Sequence, residues 1–180
     1  SKALSGIHGP LSQLITVDNE YSVAVEVALG AAMQNIVTSN EADAKRAIYY
    51  LKNNRIGRAT FLPISAIKPR NLDEKDLDDN LGFVAIASDL VECKSEYKNI
   101  ISNLLGRVVI VDDMDCAIGI AKRYNNRFKL VTIDGQVINP GGSMTGGSQS
   151  RGAGILSRSN QIDELNEQAK VLEERVNALK

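Results

Sequence analysis

The sequence predicts a mixed α/β (α+β) protein: two similar α/β subdomains followed by a coiled-coil helix. Three observations carry that prediction. Helical apolar stripes alternate with short β-rich runs, which points to βαβ units and partly parallel sheets. One order of parts occurs twice: Leu29-Gly30, a strand, a capped helix, Asn53-Asn54-Arg55 and a strand, then Leu105-Gly106, a strand, a capped helix, Asn125-Asn126-Arg127 and a strand. From Ile162 onward, apolar residues recur at steps of three and four. The resulting division is 1–80 and 81–150 for the subdomains, 151–158 for a junction and 159–180 for the start of the coil.

Each element has its own signal. Tyr21, Ala24, Val25, Ala28 and Leu29 form a helical stripe with Gly30 near its end. Ala44, Ala47, Ile48 and Leu51 form a second, N-capped by Ser39 or Asn40. Tyr97, Ile100, Ile101, Leu104 and Leu105 form a third, with Gly106 placed for a left-handed C-cap. Met114, Ala117, Ile118 and Ala121 form a fourth, capped by Asp112 or Asp113. Strands are expected at 35–38, 59–62, 84–87, 107–111 and 129–133. Residues 71–80, with five acids and one lysine, read as an exposed loop or a short solvated helix.

The tail follows another rule. Ile162, Leu165, Ala169, Leu172, Val176 and Leu179 fall on the a/d seam of a coiled coil, with charges elsewhere. An ordinary surface helix carries a broader stripe. The stripe reaches Lys180 without Gly, Pro or a cap, and the chain opens at Ser1 without a leader, so a piece of a longer protein is expected.

Bulk properties exclude several classes. An apolar fraction of 43% with 24% charged residues is that of a globular protein, and no apolar run reaches the ~18 residues of a membrane span. A net charge of −1 argues against a surface dominated by phosphate contacts. Cys93 and Cys116 lack CxxC spacing and His8 is the single histidine, so buried thiols in a reducing cytoplasm are expected and no metal site is.

The motif-like stretches fail as catalytic signatures. In NPGGSMTGGS (139–148), Gly141 and Gly146 have P-loop spacing, but Gly147 stands where the phosphate-contacting lysine belongs. A nucleophile elbow from Gly141 meets Thr145 at its fifth position, and Gly152 and Gly154 are followed at the third position by Ser157 where a dinucleotide fingerprint needs glycine. VVIVDD (108–113) resembles a Walker B strand; without a P-loop it reads as a buried strand whose acids cap the next helix. What remains for the glycines is close approach of another backbone, or a flexible linker.

GIHGPLSQLI (6–15), VEVALGAAMQNIV (25–37), GRATFLPI (57–64), NLLGRVVIVDD (103–113) and NPGGSMTGGS (139–148) occur in the order and spacing of bacterial hinge domains of SMC (structural maintenance of chromosomes) proteins. The resemblance covers about residues 5–148, and the heptads after Ser159 are similar to the coil leaving such a hinge. It implies a two-fold homodimer with Gly141, Gly142, Gly146 and Gly147 near the interface. It also implies an arm that pairs with an absent N-terminal arm, and ATPase heads elsewhere in the full-length protein. No cofactor is expected, and the implied location is the bacterial cytoplasm, at the nucleoid. Linking two arms would let DNA be enclosed. One departure stands out: family members often carry a lysine cluster after the glycine run, whereas SQSRGAG (148–154) has Arg151 as its only charge. DNA contact is therefore expected to be weak and non-specific, at Arg151 and Arg158 with Lys122, Arg123, Arg127 and Lys129 as contributors. The competing readings are an α/β small-ligand or nucleotide-binding domain and a dedicated DNA-binding domain.

Overall fold

The computed structural model describes residues 4–148 and 154–179. The first half runs β1 (Ile7–Pro10), a 3-10 turn, β2 (Ile15–Val17), α1 (Asn19–Leu29), β3 (Ile36–Thr38), α2 (Glu41–Asn53) and β4 (Phe61–Pro63). The second repeats the series: β5 (Phe83–Ile86), a 3-10 turn, β6 (Val91–Cys93), α3 (Lys98–Leu105), β7 (Val108–Val111), α4 (Met114–Arg123) and β8 (Lys129–Thr132). A hairpin of β9 (Val137–Ile138) and β10 (Met144–Thr145) follows, and then α5 (Ile155–Ala178).

The sheets repeat as well. In one, β3 lies between antiparallel β1 and parallel β4. In the other, β7 lies between antiparallel β5 and parallel β8, and β9 and β10 extend it. Both outer antiparallel pairs shift register, between Ile7 and Gly9 and between Phe83 and Ala85. The halves are joined by β2 and β6, paired antiparallel with Ile15 opposite Cys93 and Val17 opposite Val91. The duplication therefore covers seven elements per half, more than the five-part repeat read from sequence.

The ends of α2 and α4 are built alike. Each closes with a Schellman motif: the Ile56 amide donates to Leu51 O (3.1 Å) and that of Arg55 to Lys52 O (3.3 Å), as Asn126 does to Ala121 O (2.8 Å) and Asn125 to Lys122 O (3.4 Å). Arg55 (φ 54°) and Asn125 (φ 57°) take the left-handed position. The two Asn-Asn-Arg triplets are thus not superposed; Arg55 matches Asn125, because α2 is a turn longer than α4.

The core explains why β7 is a continuous apolar run. All four of its residues are buried, Val108 and Ile110 in a central cluster and Val109 and Val111 under α4. The central cluster joins Leu11, Val17, Val25 and Val37 of the first half to Ile100, Leu105 and Val131 of the second. The α4 cluster adds Ile120, Tyr124, Phe128, Ile138 and Leu77.

Several expectations are corrected. Gly106 is right-handed (φ −69°) and does not act as a left-handed cap; a Cβ there would strike the carbonyl oxygens of Arg70 and Ser102, so close backbone approach is what requires glycine. Residues 71–80 are mostly exposed with one 3-10 turn, as expected, but they also strap α4: Tyr124 Oη donates to Lys75 O (2.8 Å) and accepts from Asn80 Nδ2 (3.1 Å), Arg127 meets Glu74 at 3.2 Å, and Leu77 is buried. Asp113, not Asp112, caps α4. Ile48, read as core-facing, is 49% exposed, because the contact under α2 is made mainly by Ala44 and Ala47.

Candidate functional site

The glycine run forms the outermost hairpin of the larger sheet. Gly141 (φ 90°) and Gly142 (φ 102°) make its turn, where a side chain would be strained. The Gly142 amide donates to Asn139 O at 2.9 Å, the Asn139 amide to Ser143 O at 2.7 Å, and the Gly141 amide to Asn126 O at 2.8 Å. Gln136 clamps the far end: its Oε1 accepts from the Gly147 amide (2.8 Å) and its Nε2 donates to Gly147 O (3.0 Å). A Cβ on Gly146 would collide with the same Gln136 side chain. The close approach anticipated for these glycines is thus internal at Gly146, while a Cβ at Gly141 or Gly147 would meet nothing within 4 Å.

Among the described residues the sheet ends at this hairpin: β10 pairs with β9 alone, and Met144 is 55% exposed. The smaller sheet ends correspondingly at β4, closed by Pro63. The two edges belong to opposite halves of one chain. Sequence reasoning missed both as edges; Pro63 at the end of a short run was the available signal, since proline favours edge strands. β10, at two residues, gave none.

α5 is anchored at its start and bare afterwards. Leu156 is buried, the Ile155 amide donates to Glu26 Oε1 (3.0 Å), and Asn160 Nδ2 donates to Val17 O (2.7 Å) and Asn19 Oδ1 (2.9 Å). Further along, Ile162, Leu165, Ala169, Leu172, Val176 and Leu179 are all exposed. The helix begins at Ile155, inside the stretch read as the junction.

The cations proposed for DNA sit on different elements and differ in their partners. Arg123 Nη1 donates to Asn80 Oδ1 (2.9 Å) and its guanidinium lies 5.4 Å from the Tyr124 ring centre. Arg127 Nε donates to Tyr124 O (3.1 Å) and its Nη2 to Glu74. Both therefore hold the strap. Lys122 and Arg158 are exposed and Lys129 is half-buried. α4 packs on β7, β8 and β9, whereas α5, which carries Arg158, packs on α1 and β2. Arg151 lies outside the described residues.

Asp113, Cys116 and Cys93 are among the titratable groups with shifted values. The backbone amide of Cys116, with its thiol, holds Asp113 below the ordinary carboxylate value. The hydrogen bond to Asp113, then burial, pushes the Cys116 thiol up, and burial raises Cys93. Among the described residues there is no cluster of metal-ligating side chains and no helix long and apolar enough to cross a membrane.

Comparison with known proteins agrees with this geometry. Residues 4–121 match the family described as SMC proteins Flexible Hinge Domain. The Chromosome partition protein Smc of Bacillus subtilis is 41% identical over 98% of this chain, and that of Desulfitobacterium hafniense 43% over 89%. The chain spans only 16% and 14% of those relatives' lengths. The structure of an asymmetric dimer of the Geobacillus stearothermophilus SMC hinge domain matches with a TM-score of 0.89 at 44% identity, covering 98% of this chain and 72% of that one. The Pyrococcus furiosus SMC hinge domain matches with a TM-score of 0.70 at 36% identity, covering 85% and 79%. With its duplicated halves, terminal arm and match over most of the fold, the chain belongs to the SMC flexible hinge domain family.

Proposed function

We propose that this chain is the homodimerisation module of a chromosome-partitioning SMC protein, and that it performs no chemistry itself. The observation that carries the reading is that two of the four terminal strands of these sheets, β4 and β10, lie on opposite halves and pair on one side alone among the described residues. In a two-fold dimer, β4 of one protomer would meet β10 of its partner, and the same contact would recur across the axis. Such a ring closes edges that otherwise invite uncontrolled association. Gly141, Gly142, Gly146 and Gly147 flank the β10 edge and leave its outer side free of bulky side chains. The relative whose structure is an asymmetric hinge dimer supports the same state here.

In this reading α5 starts one arm and its bare seam pairs with the arm entering the hinge. The full-length protein, with ATPase heads at the far ends of its arms, would enclose DNA at the nucleoid in the cytoplasm. The boundary between subdomains is better drawn near residue 70 than at 80, because the strap packs on α4. A nucleotide-binding alternative is disfavoured by Gln136, which occupies the Gly147 amide that a phosphate would need. Weak DNA contact at Arg151, Arg158, Lys122 and Lys129 remains part of the proposal; Arg123 and Arg127 contribute less because the strap engages them.

Met144→Glu places a charge on the β10 edge and tests the interface. The account expects a lower sedimentation-equilibrium mass with an unchanged far-UV spectrum; unchanged mass would put the contact elsewhere.

A further inference from the structure

Each half carries one surface feature that the duplication does not repeat. Leu81, the residue before the glycine that opens the second half, is 87% exposed, and its counterpart before Gly6 is Ser5. Acids lie about it. Asp78 and Asp79 precede it in the 3-10 turn, Asp112 donates its amide to Gly82 O at 2.9 Å, and Asp115 lines the same cleft as Leu81. All four are exposed and make no ion pair among the described residues. Lys75 is the one cation of residues 71–82, and Arg123 is engaged by Asn80 Oδ1 at 2.9 Å. The second half thus presents an apolar tip in an acidic collar.

The first half carries the complement. Between the last turns of α2 and the chain leading to β4 runs a groove floored by Ile48, Leu51 and Ala59 and flanked by Lys52 and Arg58. The sheet register explains why it is open. Thr38 and Val111 each stand two residues before a helix cap, and they pair with Pro63 and Thr132. Ala59 and Phe128, four residues upstream of those partners, are therefore equivalent. Phe128 is 2% exposed and packs in the cluster beneath α4, whereas alanine leaves the matching space beside α2 unfilled. The rim of this groove is basic: residues 45–58 hold five cations and no acid. Arg46 is paired with Asp43, and the other four make no ion pair among the described residues.

We propose that the Leu81 tip of one molecule docks in the α2 groove of a second copy of this chain. The leucine covers the apolar floor, and the acids around it face Lys52 and Arg58 across the rim. Charge complementarity selects this occupant, since the tip is acidic about an apolar centre and the groove is basic about an apolar floor. Tip and groove are different surfaces, so the contact is heterologous and adds copies head to tail. It also lies outside the β4–β10 contact. The tip leads into β5, and β5 and β10 are opposite edges of the five-stranded sheet, four strand spacings or about 19 Å apart. The tip therefore links one homodimer to the next, and its contact neither requires nor replaces the β4–β10 contact. One leucine and a few surface charges make a small interface, so association is weak, salt-sensitive and visible only well above the micromolar range.

The test is sedimentation velocity of the 180-residue chain at about 0.5 mM, in about 20 mM and about 300 mM salt. The parent protein is expected to form species above the homodimer at the lower salt and to lose them at the higher. Leu81→Ser and Ala59→Phe each copy the residue of the other half, and each is expected to lower the association constant about tenfold or more. Asp78→Lys with Asp79→Lys, and separately Lys52→Asp with Arg58→Asp, should abolish self-association. An equimolar mixture of those two charge variants should restore it, because a basic tip then meets an acidic groove. Melting temperatures of Leu81→Ser and the charge variants should match the parent protein. Met144→Glu, aimed at β10, should keep the salt-sensitive step while starting from a smaller unit, which separates this contact from the homodimer. Three results would overturn the proposal: no species above the homodimer at the lower salt, association unaltered in Leu81→Ser and both charge variants, or a mixture no more associated than its components.

Discussion

Asn40 and Asp113 stand at equivalent places in the two halves. Each is the N-cap of the outer helix of its half, and their backbones agree closely, at φ −153°, ψ 176° and φ −148°, ψ 175°. Asn40 Oδ1 accepts from the Asp43 amide at 2.9 Å, and Asp113 Oδ1 from the Cys116 amide at 2.8 Å. Preceding each cap, a residue donates its amide to the glycine that opens the half: Ser39 to Gly6 O and Asp112 to Gly82 O, both at 2.9 Å. The caps differ chemically, since one titrates and the other does not.

Asn40→Ala removes the acceptor for one otherwise unpaired helix amide and should cost about 1 kcal/mol in a urea titration. At α4 the equivalent effect follows pH. Asp113 is held below the usual carboxylate value chiefly by the Cys116 amide. A depressed folded-state value contributes stability that is complete above the unfolded value and is lost as pH falls through the folded one. Thermal melts from neutral pH to below about pH 4 should therefore show a larger loss in the parent protein than in Asp113→Asn, the remainder coming from other carboxylates such as Glu41, which its hydrogen bond from Ser65 also holds low.

The same contact controls a thiol. Cys116 is raised first by its hydrogen bond to Asp113, and Cys93 is raised by burial. Less thiolate means slower reaction. Both cysteines should react slowly with a disulfide reagent at neutral pH, and Asp113→Asn should speed Cys116 while leaving Cys93 unchanged.

Tyr124→Phe deletes the hydroxyl that donates to Lys75 O and accepts from Asn80. The expected cost is about 1 kcal/mol, with faster amide exchange across residues 72–80. Unaltered exchange there would mean that Leu77 and Arg127 hold the strap without the hydroxyl.

The arm and its root should respond differently. Leu165 and Leu172 are 63% and 60% exposed, so alanine at either should leave domain stability within about 0.5 kcal/mol. Leu156 is 2% exposed, and Leu156→Ala should cost about 2–5 kcal/mol. Chemical denaturation of the three variants makes the comparison.

What was legible in the sequence follows from these particulars. Helix caps are local chemistry, so Asn40 and Asp113 stood among the candidates, and the doubly buried run at Val108–Val111 announced a central strand. β1 was not legible because Ile7–Pro10 contains glycine and proline and reads as a turn, although a sheet edge tolerates both. β9 and β10 have two residues each, too few to show a period. The glycines were legible as unusual, but their internal partner Gln136 was not, because that contact is made only when the hairpin folds. Ile48 fits a helical stripe as well as Ala44 does, but Ala44 and Ala47 make the contact under α2.

Sedimentation equilibrium of the chain across the micromolar range tests the central claim most directly. The account predicts a mass twice the 19.5 kDa of one chain. A mass of 19.5 kDa throughout that range would contradict it.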